Sequence, residues 1–216
     1  MTTNLTPPPD DEPLSGPDEA LALIHEQQRT VTELLYGSVP WIYTMWGIAW
    51  GVGFLALWSG YDDGNPWFRL PLGLAAAIFG GLMTGALITS FVAGAGIGRG
   101  VRGASAFSGT IYGISWAVGL PSVFLIGIAL AGAGADGALL SLYFPAASGT
   151  VIGLIYFMGA ALWRSIDQLV LGAVIIVVGT VAPFFGAPTN NLVMAVLGGG
   201  SFLIAAIVMR LSRRRR

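Results

Sequence analysis

From about residue 40 onward, long apolar stretches alternate with short polar connections. The first apolar stretch, Trp41–Trp58, reads WIYTMWGIAWGVGFLALW and contains no charged residue. At about 1.5 Å of rise per residue, a helix of this length covers roughly 26 Å, close to the hydrocarbon thickness of a bilayer. Its terminal tryptophans suit the two membrane–water interfaces. The pattern therefore predicts a membrane-spanning helix.

Five further apolar stretches follow, and together they predict an all-α polytopic membrane bundle with six transmembrane helices over residues 39–211. The expected spans cover residues 40–59, 70–94, 106–131, 139–162, 168–186 and 192–210. Only 10% of the residues are charged, whereas soluble domains contain about 25%. Pro121 and Pro183 lie inside expected spans and should kink them. Pro145 lies near the start of the fourth span, where its missing amide hydrogen matters little.

The segment before the first span has a different pattern. Residues 1–16 are acidic and proline-rich, which predicts a disordered tail. Residues 17–38 carry apolar side chains three and four positions apart, which predicts a cytosolic amphipathic helix. Its apolar stripe contains Leu21, Ile24, Val31 and Leu35. We expect this helix to lie on the inner membrane face, to pair with another copy, or to dock on a protein partner.

The placement of arginine predicts the orientation of the bundle. Every arginine except Arg69 falls on the side of the membrane that holds the N-terminus. Since cytoplasmic segments collect positive charge, both termini are expected in the cytoplasm, with residues 212–216 as a basic cytosolic tail. The chain has no lysine and 32 glycines, which favours a GC-rich bacterial genome. The expected location is therefore the bacterial cytoplasmic membrane.

Residues needed for several kinds of catalysis are missing from the expected spans. The chain has no cysteine, and its one histidine, His25, lies in the predicted cytosolic helix. We therefore expect no enzyme, no catalytic residue, no cofactor and no metal site. The run Gly98–Gly103 matches GxGxxG but follows an apolar helix, so we interpret it as a flexible basic turn. We interpret Arg213–Arg216 as a membrane anchor and expect no nucleic-acid partner.

Aromatic residues at helical spacing provide a candidate ligand site. One interpretation is an aromatic-walled cavity for an apolar or cationic ligand, and the other is ordinary packing against helices and lipid. The candidate wall residues are Trp46, Trp50, Tyr112, Trp116 and Tyr156.

Glycines recur four residues apart in several spans. Such pairs allow close helix contact, either inside the bundle or between two copies of the chain. The pairs are Gly47/Gly51, Gly81/Gly85, Gly109/Gly113 and Gly149/Gly153.

Two runs of sequence resemble a known group of proteins. Glu19–Arg29, EALALIHEQQR, and Tyr43–Phe54, YTMWGIAWGVGF, resemble small actinobacterial integral membrane proteins that share an EALxLIxEQ helix and a WGxAWxxGF first span. The resemblance covers residues 18–60 and implies a six-span protein of uncharacterised function, sometimes described as a transporter. It implies no catalytic or binding residue. An inner amphipathic helix with six spans is also similar to ABC-exporter permease subunits, but Gly186–Asn191 is too short for their outer re-entrant helices.

The sequence thus predicts a non-enzymatic partner or regulatory component of a membrane complex. Besides the lipid bilayer, the expected partner is a second copy or another protein bound through the helix at residues 17–38. The alternative is a small permease or transporter subunit for an uncharged or lipophilic solute. Its pocket would lie among the first, third and fourth spans.

Overall fold

A computed structural model describes residues 39–97 and 104–214, together with positions 16, 21–23, 25, 26 and 37. The chain forms two compact units, Met1–Gly37 and Ser38–Arg216. In the first unit, residues 21–23 are helical and the side chain of Leu21 is exposed. Ile24, Val31 and Leu35 lie outside the described residues, as does nearly all of the tail expected at 1–16.

The second unit is helical, and its described residues form no strand. Six of its segments are long and apolar enough to cross a membrane, which confirms the prediction of an all-α six-span bundle. The first five helices are α1 (Val39–Trp58), α2 (Leu72–Ile97), α3 (Ala104–Gly132), α4 (Gly137–Trp163) and α5 (Ile166–Val181). The sixth span consists of α6 (Thr189–Val193), a π-helical segment (Met194–Gly199) and α7 (Gly200–Arg214).

The ends of the spans lie within three residues of those expected from the sequence. Two differences change the interpretation of charged residues. Helix α5 begins at Ile166, so Asp167 lies in its first turn, where a carboxylate is favoured by the helix dipole. Helix α7 continues beyond residue 211 to Arg214, so the start of the expected basic tail is still helical.

Two prolines lie in surroundings that differ from those expected. Helix α5 ends at Val181, and Pro183 lies in the 3₁₀ turn Ala182–Phe185, so it follows the helix instead of kinking it. Pro145 lies in the interior of α4, because that helix already begins at Gly137. An interior proline deprives the carbonyl four residues earlier of its helical partner.

The helices differ strongly in how much surface they bury. Helix α1 packs against α2 and along the whole sixth span, while α4 packs extensively on α5. Helix α2 packs mainly on α1, and α3 packs mainly on α4. Consequently 44% of the most apolar window of α1 is buried, against 11% for α2 and for α3. Helices α2 and α3 therefore lie at the edges of the bundle.

Candidate functional site

The predicted aromatic wall residues belong to one cluster centred on Phe202 of α7. The Phe202 side chain is 1% exposed and lies among rings from α1 and α4. Its ring centroid is 5.4 Å from that of Trp50, 6.5 Å from that of Trp46 and 6.2 Å from that of Tyr156. The mostly edge-on geometry is the arrangement that aromatic quadrupoles prefer.

The two remaining wall residues extend this cluster onto α3. The Trp116 ring lies 6.0 Å from the Tyr156 ring, and Tyr112 lies 6.2 Å from Trp116. Tyr112 also meets Trp163 near the end of α4, with ring centroids 4.7 Å apart. The structure therefore brings all five predicted wall residues into one continuous set of ring contacts.

The centre of this cluster is closely packed. Tyr43, Trp50, Tyr156 and Phe202 are all buried, so their rings fill the space between α1, α4 and the sixth span. Trp46 lies at the edge of the cluster, where its Nε1 donates a 2.8 Å hydrogen bond to Ser90 of α2. In this arrangement the aromatic side chains connect five spans, which are α1 to α4 and the sixth. Whether they also line a ligand-binding site stays a prediction.

Two of the four glycine pairs lie at helix interfaces inside the bundle. A Cβ added at Gly149 would lie 3.2 Å from the Cα atom of Gly179, and one at Gly153 would lie 2.7 Å from the carbonyl oxygen of Gly172. Helices α4 and α5 therefore meet backbone to backbone. The pair Gly47/Gly51 similarly faces Gly199 in the π-helical segment of the sixth span.

The other two glycine pairs lie on open helix faces. A Cβ added at Gly81 or Gly85 of α2 would meet no atom within 4 Å outside its own helix turns, and the same holds for Gly109 and Gly113 of α3. Within residues 39–97 and 104–214, these glycines therefore face no neighbouring helix. The sequence pattern alone is the same for all four pairs, so it could not separate the internal pairs from the open ones.

Asn190 is a buried polar residue that the sequence analysis did not select. Its side chain is 0% exposed, and its Nδ2 donates a 2.8 Å hydrogen bond to the carbonyl of Ser141. Its Oδ1 has no hydrogen-bond partner among the described residues, and neither has the buried Oε1 of Gln168. The sequence does contain a signal for this residue, because the two amide side chains of Asn190-Asn191 stand just before an apolar span.

The ionisable residues in the described ranges do not assemble into a metal site. Among them, no group of three or more histidine, cysteine, aspartate or glutamate side chains lies close enough to hold a metal ion. An ion pair between Arg69 and Asp62 instead lies in the α1–α2 loop, beside a surface cavity of about 490 Å³. This loop is the second polar feature that the sequence analysis did not select.

Comparison with protein-family models, with curated proteins and with solved structures finds no match to this chain.

Proposed function

We propose that this multi-pass protein is a non-enzymatic component of a membrane complex, and that the open faces of α2 and α3 bind helices of its partner. The contrast between the two sets of glycine pairs is the main support. Inside the bundle, glycine pairs occur where backbones touch, as between α4 and α5. On α2 and α3 the same motif faces no neighbour in the described chain.

The way helices associate in a bilayer explains why the two sets of glycine pairs should be interpreted differently. Lipid tails are as apolar as leucine, so helices in a bilayer associate mainly through close van der Waals contact between small residues. A glycine that faces lipid makes no such contact and lowers helix propensity by about 1 kcal/mol relative to alanine. Open glycine pairs on the two least buried helices are therefore best explained by helices of another subunit.

The aromatic cluster supports a packing role over the permease alternative. A solute pathway among the first, third and fourth spans would pass through Tyr43, Trp50 and Tyr156, whose side chains are buried. We assign these rings to the stability of the bundle. No observation in the described residues favours a transport pathway strongly enough to make it a second proposal.

The remaining features of the proposal come from the sequence. We propose that the protein resides in a bacterial cytoplasmic membrane with both termini in the cytoplasm, because arginine collects on that side. The helix expected at residues 17–38 would then offer a second contact to a cytosolic partner. Labelling of intact cells from each side of the membrane tests both the orientation and the cytoplasmic position of this helix.

Single-cysteine crosslinking tests the proposed partner faces. The chain has no cysteine, so each introduced thiol is unique. Gly85→Cys and Gly113→Cys, expressed in the native host, should crosslink to a specific second membrane protein through a short bifunctional reagent. If both faces contact one partner, the two variants should give products of the same mass. If they contact two partners, these should be subunits of one complex.

Two matched controls lie nearby on the same helices. At about 100° per residue, the direction of Leu87 differs by about 160° from that of Gly85, and the direction of Val118 differs by about 140° from that of Gly113. Both side chains are exposed in the structure. Leu87→Cys and Val118→Cys should give no product. Equal products from all four positions, or none from the glycine positions, would overturn the proposal.

A further inference from the structure

The connection between α1 and α2 is a loop held in one shape by its own hydrogen bonds. Ser59, directly after α1, is buried, and its hydroxyl donates a 2.9 Å hydrogen bond to the Leu55 carbonyl. The same hydroxyl accepts a 2.9 Å hydrogen bond from Asn65 Nδ2. The backbone of Leu70 donates to the Ser59 carbonyl at 2.9 Å, which closes the loop.

Glycine allows this loop to fold back on the end of α1. A Cβ added at Gly64 would overlap the backbone carbonyl oxygen of Trp58. The Asn65 side chain also accepts a 3.0 Å hydrogen bond from the Trp67 amide. Side chains further along the loop are therefore held in fixed positions relative to α1 and α2.

One result of this geometry is a cavity with charges of both signs on its wall. The cavity measures about 490 Å³ and lies between the loop and the start of α2, lined among others by Asp62, Arg69 and Leu72. Its volume falls within the range of about 300–1,000 Å³ that is typical of ligand pockets. The Arg69 guanidinium and the Asp62 carboxylate form an ion pair, with both side chains about two-thirds exposed.

The position of the loop places this cavity at the edge of the hydrocarbon. By length and composition, span α1 ends at Trp58 and span α2 begins at Leu72. A bilayer that matches these spans would place the loop where headgroups meet water. The Trp67 side chain is 82% exposed, and its ring lies 6.4 Å from the ring of Trp58. The adjacent Phe68 is also exposed. Exposed aromatic side chains at this depth favour the membrane interface.

We propose that this cavity binds the headgroup of a phospholipid that carries both a phosphate and a primary ammonium, with Trp67 and Phe68 against the acyl chains. An exposed ion pair contributes little to stability, because water already solvates both charges, so a ligand can replace it at little cost. Arg69 would then contact the phosphate through its planar donors, while Asp62 would accept hydrogen bonds from the ammonium.

The charge pattern distinguishes this ligand from other lipids. A purely anionic headgroup satisfies Arg69 but meets the carboxylate of Asp62 on the wall of the same cavity. A choline headgroup has the right charges, but its quaternary nitrogen has no N–H and donates no hydrogen bond to Asp62. A primary ammonium has three donors, so both charged walls of the cavity gain a partner.

Competition between lipids in detergent micelles tests the proposal by native mass spectrometry. The full chain is mixed with equimolar phosphatidylethanolamine, phosphatidylcholine and phosphatidylglycerol of identical acyl chains. The ethanolamine lipid should be retained about two- to fivefold over each of the others, the range given by exposed charge pairs. Equal retention of all three, or preference for the glycerol lipid, would overturn the proposal.

Three loop variants assign the effect to the two cavity charges. Asp62→Asn should abolish the preference for ethanolamine over choline, and Arg69→Gln should weaken retention of both. Asp63→Asn makes the same charge change beside Asp62, outside the cavity wall, and should leave the preference unchanged. If Asp63→Asn behaves like Asp62→Asn, the effect is general surface charge and the assignment is wrong.

A last competition experiment distinguishes binding of a lipid from binding of the soluble headgroup alone. Free phosphoethanolamine at the lipid's concentration should not displace the bound lipid, because it makes no contact with Trp67 and Phe68. If it competes as effectively as the lipid, the cavity is a site for a soluble ligand and the lipid proposal fails. The whole test is independent of the partner faces on α2 and α3.

Discussion

Asn190 donates a hydrogen bond of 2.8 Å to the backbone carbonyl of Ser141, four residues before Pro145. In a regular helix that carbonyl would accept from the amide of residue 145, but proline has no amide hydrogen. The side chain at the start of the sixth span thus supplies the hydrogen bond that α4 lacks. This explains why an amide side chain is buried among apolar helices.

The first prediction concerns the coupling of Asn190 with Pro145. Asn190→Ala should lower the free energy of unfolding by about 1–3 kcal/mol, because the Ser141 carbonyl loses its donor. In a Pro145→Ala background the restored amide serves the same carbonyl, so the cost of Asn190→Ala should shrink. Unfolding of the four proteins in mixed micelles measures this double-mutant cycle.

Pro121 provides the matched control for this cycle. It is likewise an interior proline, in α3, and replacing it with alanine should leave the cost of Asn190→Ala unchanged. An equal cost of Asn190→Ala in all three backgrounds would contradict the proposed link to Pro145.

The second prediction concerns Phe202 at the centre of the aromatic cluster. Phe202→Ala should lower the free energy of unfolding by about 3–5 kcal/mol, because it opens a cavity between α1, α4 and α7. Phe202→Leu keeps most of the volume and should cost less. Phe184→Ala removes the same group from an exposed position and should have little effect. Similar losses for Phe184 and Phe202 would contradict a central packing role.

The third prediction compares glycines of the two kinds. Gly153→Ala should destabilise the protein, since the added methyl group would overlap Ile176 and press on the Gly172 carbonyl. Gly113→Ala meets no neighbour and should raise stability by up to about 1 kcal/mol through helix propensity. Thermal unfolding of the purified protein, without its partner, measures both. Destabilisation by Gly113→Ala would show that its face is packed within the chain itself.

The fourth prediction concerns the contact between the ends of α1 and α7. The Arg210 guanidinium lies 4.7 Å from the centroid of the Trp41 ring, and it also donates a 3.3 Å hydrogen bond to Thr44. Arg210→Gln should lower the free energy of unfolding by about 0.5–1 kcal/mol. Trp41→Leu should cost a similar amount, and the double variant should cost less than the sum. Full additivity would show that the two side chains act independently.

The sequence predicted the six spans well because apolar length and the absence of charge determine membrane insertion almost without regard to neighbours. Contacts between spans depend instead on side chains far apart in sequence. Gly113 and Gly153 occur in the same four-residue motif, yet one lies on an open face and the other meets α5. The partnership of Asn190 with Ser141 likewise needed the fold, because nothing in the local pattern relates position 190 to position 145.

The aromatic residues selected from the sequence meet in the structure, while their role in binding a ligand stays a prediction. Spacing along α1 and α3 selected four of the five wall residues, and the fifth, Tyr156, lies on α4. All five lie in one set of ring contacts. The residue at its centre, Phe202, was not selected, because it lies in a glycine-rich run near the end of the chain. Local periodicity identifies the face of a helix, whereas only the packed bundle shows which distant ring fills the space opposite.

The neighbourhood of α1 has a consequence for biosynthesis. Of the six described spans α1 is made first, and it buries its surface largely against the sixth, which is completed about 150 residues later. During that interval the face of α1 that carries Gly47 and Gly51 has no helix to pack against, so a chaperone or lipid must cover it. Nascent chains truncated before Thr189 should therefore be unstable in cells and reach the membrane proteases, although all five earlier spans are already inserted.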